Sequence, residues 1–235
     1  MKTLVAMDTK SIVGKSLVEQ RTDSVCNNFR NGDHTTTLIR TESGKVIEIQ
    51  HNVMTPQPYN RLYQLTGTKG FANKYPTQGY ALSADQLTAS GIQPQVDNLS
   101  AHGFMPKAEQ DALVEKYRHP ILKKYGEMAK EVGGHGGMDF IMDSRLIYCL
   151  QNGLPLDMDV YDLAEWCCLA ELGELSMDNN CAAVSIPDFT RGEWNIIKGF
   201  KHAYATPEEE ASSMEKAKAF TAKLKEQGAK EWSAE

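Results

Sequence analysis

Two spacings of apolar residues divide the chain. Residues 3–7, 34–41, 45–54 and 61–66 are rich in Val, Ile, Thr, Leu and Tyr, which suit a pleated surface, and each run predicts a strand. The second and third predict a hairpin, because Glu42-Ser43-Gly44 separates them and Gly44 supplies the positive φ of a tight connection. Within 45–54, Ile47, Ile49, His51 and Val53 share one face, opposite Val46, Glu48, Gln50 and Asn52, so one side should be drier. From Pro106 the spacing widens to three and four residues. Val114, Tyr117, Ile121, Tyr125, Met128 and Val132 form a helical stripe that Pro120 should kink or split. Residues 140–151 predict a second helix, closed by Asn152-Gly153 and Pro155, and a third runs from about Val160 through Trp166-Cys167-Cys168 to Leu175.

The tail from Thr206 opens with Thr-Pro-Glu-Glu, a cap, a proline at the first helical position and acids in the first turn, and so predicts a terminal helix. Its apolar edge, Met214, Phe220 and Leu224, is thin. Strands first and helices afterwards, without regular alternation, predict an α+β fold: an open, mostly antiparallel sheet with helices packed on one face. Residues 1–195 are read as one α+β domain and 196–235 as a helical tail.

Composition narrows the partners. The chain has 235 residues, 41% of them hydrophobic, enough for a sizeable core. Its 25 Lys+Arg against 31 Asp+Glu leave a net charge of −6, with no cationic excess for a phosphate backbone, so nucleic acid is not an expected partner. No stretch approaches the roughly 20 apolar residues of a membrane span, and Asp8 interrupts the start before a signal-peptide apolar region forms. The compartment is not indicated. Cys26, Cys149, Cys167, Cys168 and Cys181 make no Cys-x-x-Cys pair and read as buried thiols, with a disulfide or a reactive thiol as the alternative.

Dinucleotide, P-loop and zinc-protease motifs are absent. The most unusual segment is Gly133-Gly134-His135-Gly136-Gly137-Met138-Asp139, a glycine loop carrying an imidazole and a carboxylate before a helix. Either it is an active-site loop, with Asp139 orienting His135, or it is a turn between helices with Asp139 as a cap. Thr55-Pro56-Gln57-Pro58-Tyr59-Asn60-Arg61 follows a strand end. Its prolines hold it extended, and Tyr59 offers an aromatic face and a hydroxyl to a sugar, or simply packs. His51 reads as a hydrogen-bonded core histidine. Asp157, Asp159 and Asp162 read first as a loop entering a helix and second as a metal or acid–base group.

Joined together, Gly134-His-Gly-Gly-Met-Asp-Phe140, Asn152-Gly-Leu-Pro-Leu-Asp-Met-Asp-Val-Tyr-Asp162 and Pro187-Asp-Phe-Thr-Arg-Gly-Glu-Trp194 resemble glycoside hydrolase family 109, part of the Gfo/Idh/MocA oxidoreductase superfamily. Asn31-Gly-Asp-His-Thr-Thr-Thr-Leu-Ile-Arg-Thr41, Gln50-His51 and Leu65-Thr-Gly-Thr-Lys-Gly-Phe-Ala72 fit the same pattern, so the resemblance covers about residues 1–195. It implies an enzyme in two parts, a Rossmann domain holding NAD and a following α+β domain. This chain is similar to the second part alone, a substrate-side and oligomerising domain. The implied activity is that of an α-N-acetylgalactosaminidase: transient oxidation of the sugar, elimination of the aglycone, addition of water and re-reduction.

The resemblance places one binding residue here, Tyr59, which matches a tyrosine that contacts the sugar in the family. Gln57 stands where the pattern has Arg. His135 and Asp139 are added as candidate substrate-binding residues from their loop setting. The family's Tyr-Pro-Thr-His segment would precede residue 1; Tyr75-Pro-Thr-Gln78 looks similar but follows the Gly-Thr-Lys-Gly turn, and no catalytic role is assigned to it. NAD is expected for the complete enzyme and not for this chain alone. Its partners would then be a Rossmann NAD-binding domain, truncated away or separately encoded, an N-acetylgalactosaminide-like sugar, and a second copy through the sheet face. The alternatives are a non-catalytic sugar-binding or assembly module, and part of a Gfo/Idh/MocA sugar dehydrogenase.

Overall fold

The computed structural model describes residues 1–23, 25, 27–91, 103–153, 156–192 and 194, with scattered helical positions between 211 and 226. Two compact units emerge, residues 1–117 with 169–186, and residues 118–168 with 187–235.

In the first unit, β1 (Thr3–Asp8), β2 (Thr35–Arg40), β3 (Val46–His51) and the two-residue β7 (Val184–Ser185) form a sheet in the order β3-β2-β1-β7. A second sheet holds β4 (Gln64–Thr66), β5 (Gly70–Asn73) and β6 (Gly79–Leu82) in sequence order. Every pairing is antiparallel. The predicted hairpin forms, with Thr41 and Lys45 closing the turn and Gly44 at φ 79°. The α+β class with open antiparallel sheets follows as expected.

The register puts Leu4, Ala6, Ile39, Thr37, Ile47 and Ile49 on one face of the larger sheet. Its centre is dry, for Leu4, Ala6 and Ile39 are fully or almost fully buried. Helix α6 (Val160–Asp178) supplies the cover through its second half: a side chain added at Gly173 would touch the Ala6 methyl at 3.6 Å. Ser176, wholly buried, accepts the Ala6 N–H at 3.0 Å and donates to the Ala182 carbonyl at 2.7 Å. The helical serine thus serves β1 beyond Leu4, where its pairing with the short β7 has ended.

The drier face predicted for β3 is drier only by position. Ile47 and Ile49 are 42% and 39% exposed and His51 is exposed, because β3 is the sheet edge and the cover lies over β1. His51 is therefore no core histidine. The opposite face, with Met7, Leu38 and Val46 exposed among Thr36, Glu48 and Gln50, stays open among the described residues of this unit.

Five elements escaped the periodicity: α1 (Val13–Thr22), β5, β6, α2 (Ala84–Ala89) and the two-residue β7. Helix α1 is held from outside its own sequence, since the Asp33 carboxylate accepts the N–H groups of Ile12, Val13 and Gly14 at 3.0, 2.8 and 2.8 Å. Those bonds, Gly14 foremost, hold the Asp33 carboxyl below the usual carboxylate range.

The helical region splits at Pro120 as predicted, into α3 (Lys107–Tyr117) in the first unit and α4 (Pro120–Val132) in the second. His119 caps α4 by accepting the Ile121 N–H at 3.3 Å. Only part of the predicted stripe is inside: Ile121 and Tyr125 are half-buried, beside the buried Ala129 that the stripe did not include, whereas Val114, Tyr117, Met128 and Val132 are exposed. Helix α5 (Met138–Asn152) ends at Gly153 in the left-handed region, and the first half of α6 completes the unit.

The cysteines are less buried than their apolar surroundings suggested. Cys149 is buried, Cys167 is exposed, and Cys168 and Cys181 are intermediate, because apolar residues surround α6 and no single packed stripe encloses them. Cys26, Pro155 and the tail residues Met214, Phe220 and Leu224 lie outside the described residues; the described positions from 211 to 226 are helical. No described helix is long and apolar enough to cross a membrane.

Candidate functional site

Tyr59 belongs to the first unit, on the segment between β3 and β4. Asn52 anchors the start of that segment: its Oδ1 accepts the Thr55 N–H and hydroxyl at 3.2 and 2.8 Å, and its Nδ2 meets His34 Nδ1 at 3.3 Å. Asn60 Oδ1 then accepts the Leu62 N–H at 2.7 Å, a local turn that keeps residues 59–63 in place.

The Tyr59 ring is 70% exposed, so it is presented rather than packed. Its edge meets Tyr75 at 6.0 Å between centroids and 83° between planes, and the Arg61 guanidinium lies 5.5 Å from its centre. Lys74 carries its ammonium 5.6 Å from the Tyr75 ring and 6.0 Å from Tyr63. The β5–β6 turn brings Lys74 and Tyr75 here, where the Lys74 N–H donates to the Tyr63 carbonyl at 2.9 Å and extends the β4–β5 ladder by one pair. Contacts of this kind contribute about 0.5–1 kcal/mol each at exposed sites, enough to bias ring orientation and too little to bury the rings.

Arg61, Tyr63, Lys74 and Tyr75 were not singled out as binding residues from the sequence. The alternation Tyr59, Arg61, Tyr63 was a legible signal; the approach of Tyr75 is not, because a second sheet makes it.

His135 and Asp139 belong to the second unit, and the structure brings them together: His135 Nδ1 lies 2.9 Å from Asp139 Oδ2. The glycine loop is a 3-10 turn, residues His135–Gly137, between α4 and α5. It is also a packing device. A side chain at Gly137, at φ 97°, would fall 2.6 Å from the Ala129 carbonyl carbon, so only glycine lets the two helices approach this closely. The turn between helices forms as expected, but Asp139 does not cap α5: it lies inside the first turn and its carboxylate meets His135 instead. The imidazole is 77% exposed on its side chain, and its carboxylate neighbour orients it as in a proton-transfer pair.

Beside the turn, α4 and α5 enclose a groove of about 720 Å³ whose lining includes Gly137, Ile121, Leu122, Met142 and the ion pair of Arg145 with Asp157. That pair is bidentate, Nη2 to Oδ1 at 3.1 Å and Nε to Oδ2 at 3.3 Å. Burial opposes the charge on Arg145, and the bonds and charge of Asp157 outweigh it, so the guanidinium is held more firmly protonated. Burial likewise pushes the neighbouring Cys149 thiol up.

Asp159, Asp162 and Asp188 hold backbone N–H groups. Asp159 caps α6 through the N–H groups of Tyr161 and Asp162, and Asp162 returns the bond to the Asp159 N–H at 3.0 Å, a reciprocal cap. Asp188 folds its own loop, accepting from Thr190 and Gly192. Among the described residues no three His, Cys, Asp or Glu side chains gather closely enough to hold a metal ion. Every described pairing is antiparallel, so the parallel βαβ crossover by which a Rossmann fold cradles a dinucleotide does not occur among the described residues.

An α+β fold with open antiparallel sheets is the class that this geometry defines. The family model for the C-terminal domain of glycosyl hydrolase 109 matches residues 1–196. The chain belongs to that family. It is 85% identical over its whole length to glycosyl hydrolase family 109 protein 4 of Phocaeicola vulgatus, covering 46% of that protein. It is 82% identical over 99% of its length to protein 5 of the same organism, covering 45%. A family 109 protein of Porphyromonas gingivalis is 60% identical over 87% of the chain, with 44% of that relative covered. The chain thus spans about half the length of the curated relatives it matches.

Proposed function

We propose that this chain is the substrate-side domain of an NAD-dependent glycosidase resembling α-N-acetylgalactosaminidase, which works by oxidation, elimination and hydration. The single observation that carries the reading is the match of residues 1–196 to a glycosyl hydrolase C-terminal domain within relatives about twice as long. In this reading residues 1–195 form the substrate-side and oligomerisation domain and 196–235 a helical tail.

The cofactor and most of the catalytic groups belong to a Rossmann domain on another stretch of polypeptide. This chain contributes recognition. Tyr59 offers a ring face and a hydroxyl to an N-acetylgalactosaminide, held out by the Asn52 and Asn60 turns. His135, oriented by Asp139, offers an exposed imidazole nitrogen to substrate. The open sheet face with Met7, Leu38 and Val46 pairs with a second copy.

Two measurements test the proposal. Titration of N-acetylgalactosamine into the chain should show binding that weakens about tenfold or more in Tyr59→Ala. Mixing the chain with a Rossmann-type polypeptide of the family and NAD should release the aglycone of a chromogenic N-acetylgalactosaminide, while neither part does so alone. If the chain by itself retains stoichiometric nicotinamide, or hydrolyses the glycoside unaided, the assignment is wrong.

A further inference from the structure

We infer that the surface around Tyr59 recognises an acidic saccharide, a sugar bearing a sulfate ester or carboxylate, whose ring lies against Tyr59 and Tyr75 while its charge meets Lys74 and Arg61. The inference rests on the sugar-binding reading of Tyr59 and names the substrate class for that site.

The charge pattern is the first argument. The chain carries an excess of acids, yet from Ile49 through Ala84 there is no Asp or Glu, while Arg61, Lys69 and Lys74 fall inside that stretch. Several cations elsewhere pair with carboxylates, among them Lys2 with Glu42, Arg30 with Glu174 and Asp178, Lys130 with Glu127 and Arg145 with Asp157, although Lys116 and Lys124 also lie over tyrosines. Lys74 and Arg61 make no ion pair among the described residues and lie instead over tyrosine rings. A ring quadrupole orients a cation without neutralising it, so both keep their full charge for an incoming anion.

Geometry is the second. Tyr63 and Lys74 are locked as cross-strand neighbours by the backbone bond at 2.9 Å, and Tyr59 and Tyr75 meet at 83°, so two ring surfaces and two cations are set before any ligand arrives. Asn73 Nδ2 donates to the Thr77 carbonyl at 2.7 Å and ties the turn that carries Tyr75. Rings and unneutralised cations together suit a charged sugar better than an apolar or cationic ligand.

The test is a titration of the full 235-residue chain with N-acetylgalactosamine, N-acetylgalactosamine 6-sulfate, galacturonic acid and inorganic sulfate, at about 20 mM and about 300 mM salt. At low salt at least one of the two acidic sugars should bind roughly three- to tenfold more tightly than the neutral one. That preference should shrink at high salt and vanish in Lys74→Gln/Arg61→Gln, two exposed positions whose replacement keeps the fold. Equal affinities, a preference that survives the double variant, or inorganic sulfate binding as tightly as the sulfated sugar, an adventitious ion only, would overturn it. Neutral sugar binding that depends on Tyr59 with no acidic preference sinks this inference alone. No Tyr59-dependent sugar binding of any kind sinks the sugar-binding reading and this inference with it.

Discussion

Replacing Ser176 by alanine removes one oxygen atom that joins α6 to β1 and to the segment before β7. The wild-type hydroxyl accepts from the Ala6 N–H at 3.0 Å and donates to the Ala182 carbonyl at 2.7 Å. Ala6 and Ser176 are both at 0% exposure, so no water can replace the lost acceptor, and a buried unsatisfied N–H costs about 1–3 kcal/mol. The bond to the Ala182 carbonyl is part-buried, and its net loss costs about 1 kcal/mol. The sum is roughly 2–4 kcal/mol, a large part of the stability of a domain this size. Two readouts separate the effect from a general loosening. The urea midpoint should fall with little change in slope, and the Ala6 amide should exchange about 30-fold faster or more. Ser185→Ala, on the exposed strand beside it, should stay within about 0.5 kcal/mol of wild type. A Ser176→Ala midpoint shifted by less than about 0.5 kcal/mol, with Ala6 exchange unchanged, would refute the account of how β1 is completed.

Gly137→Ala should destabilise the second unit by about 2–4 kcal/mol, because the new methyl group meets the Ala129 backbone and the residue keeps a positive φ; an unchanged thermal midpoint would contradict it. The Asp33 carboxyl titrates below its unfolded value, so its contribution is complete above about pH 4 and lost as pH falls through the lowered folded value. Asp33→Asn should therefore be less stable at neutral pH and show a shallower acid limb in urea midpoints; identical acid slopes would count against the cap. A thiol reagent applied to the native chain should modify exposed Cys167 well before Cys149, which is buried and has its thiol pushed up; the reverse order by peptide mapping would contradict the packing of α5.

The turns and helix breaks were readable in one dimension, and of the surface around Tyr59 only Tyr59 itself was. Gly44, Pro120 and Gly153 mark where the chain turns, splits a helix or ends one, since each acts on its own backbone. Tyr59 stood out by its segment, and His135 and Asp139 by the glycine-rich loop that carries them, whose turn brings the two side chains to 2.9 Å. The burial of β3 was misjudged, because alternation reports which residues share a face and says nothing about whether a neighbour covers it. The cysteines were misjudged for the same reason.

Local features of this protein, its turns, caps, strand faces and family motifs, follow from interactions a few residues apart and were present in the order of amino acids. What folding alone settled depends on residues far apart in the chain: Asp33 capping the start of α1, Ser176 completing β1 across 170 positions, Tyr75 arriving beside Tyr59 from the β5–β6 turn. A spacing rule sees one element at a time. These contacts exist only because separate elements, each driven to bury its apolar side, come to rest against one another, and the partner chosen is a property of the packed chain.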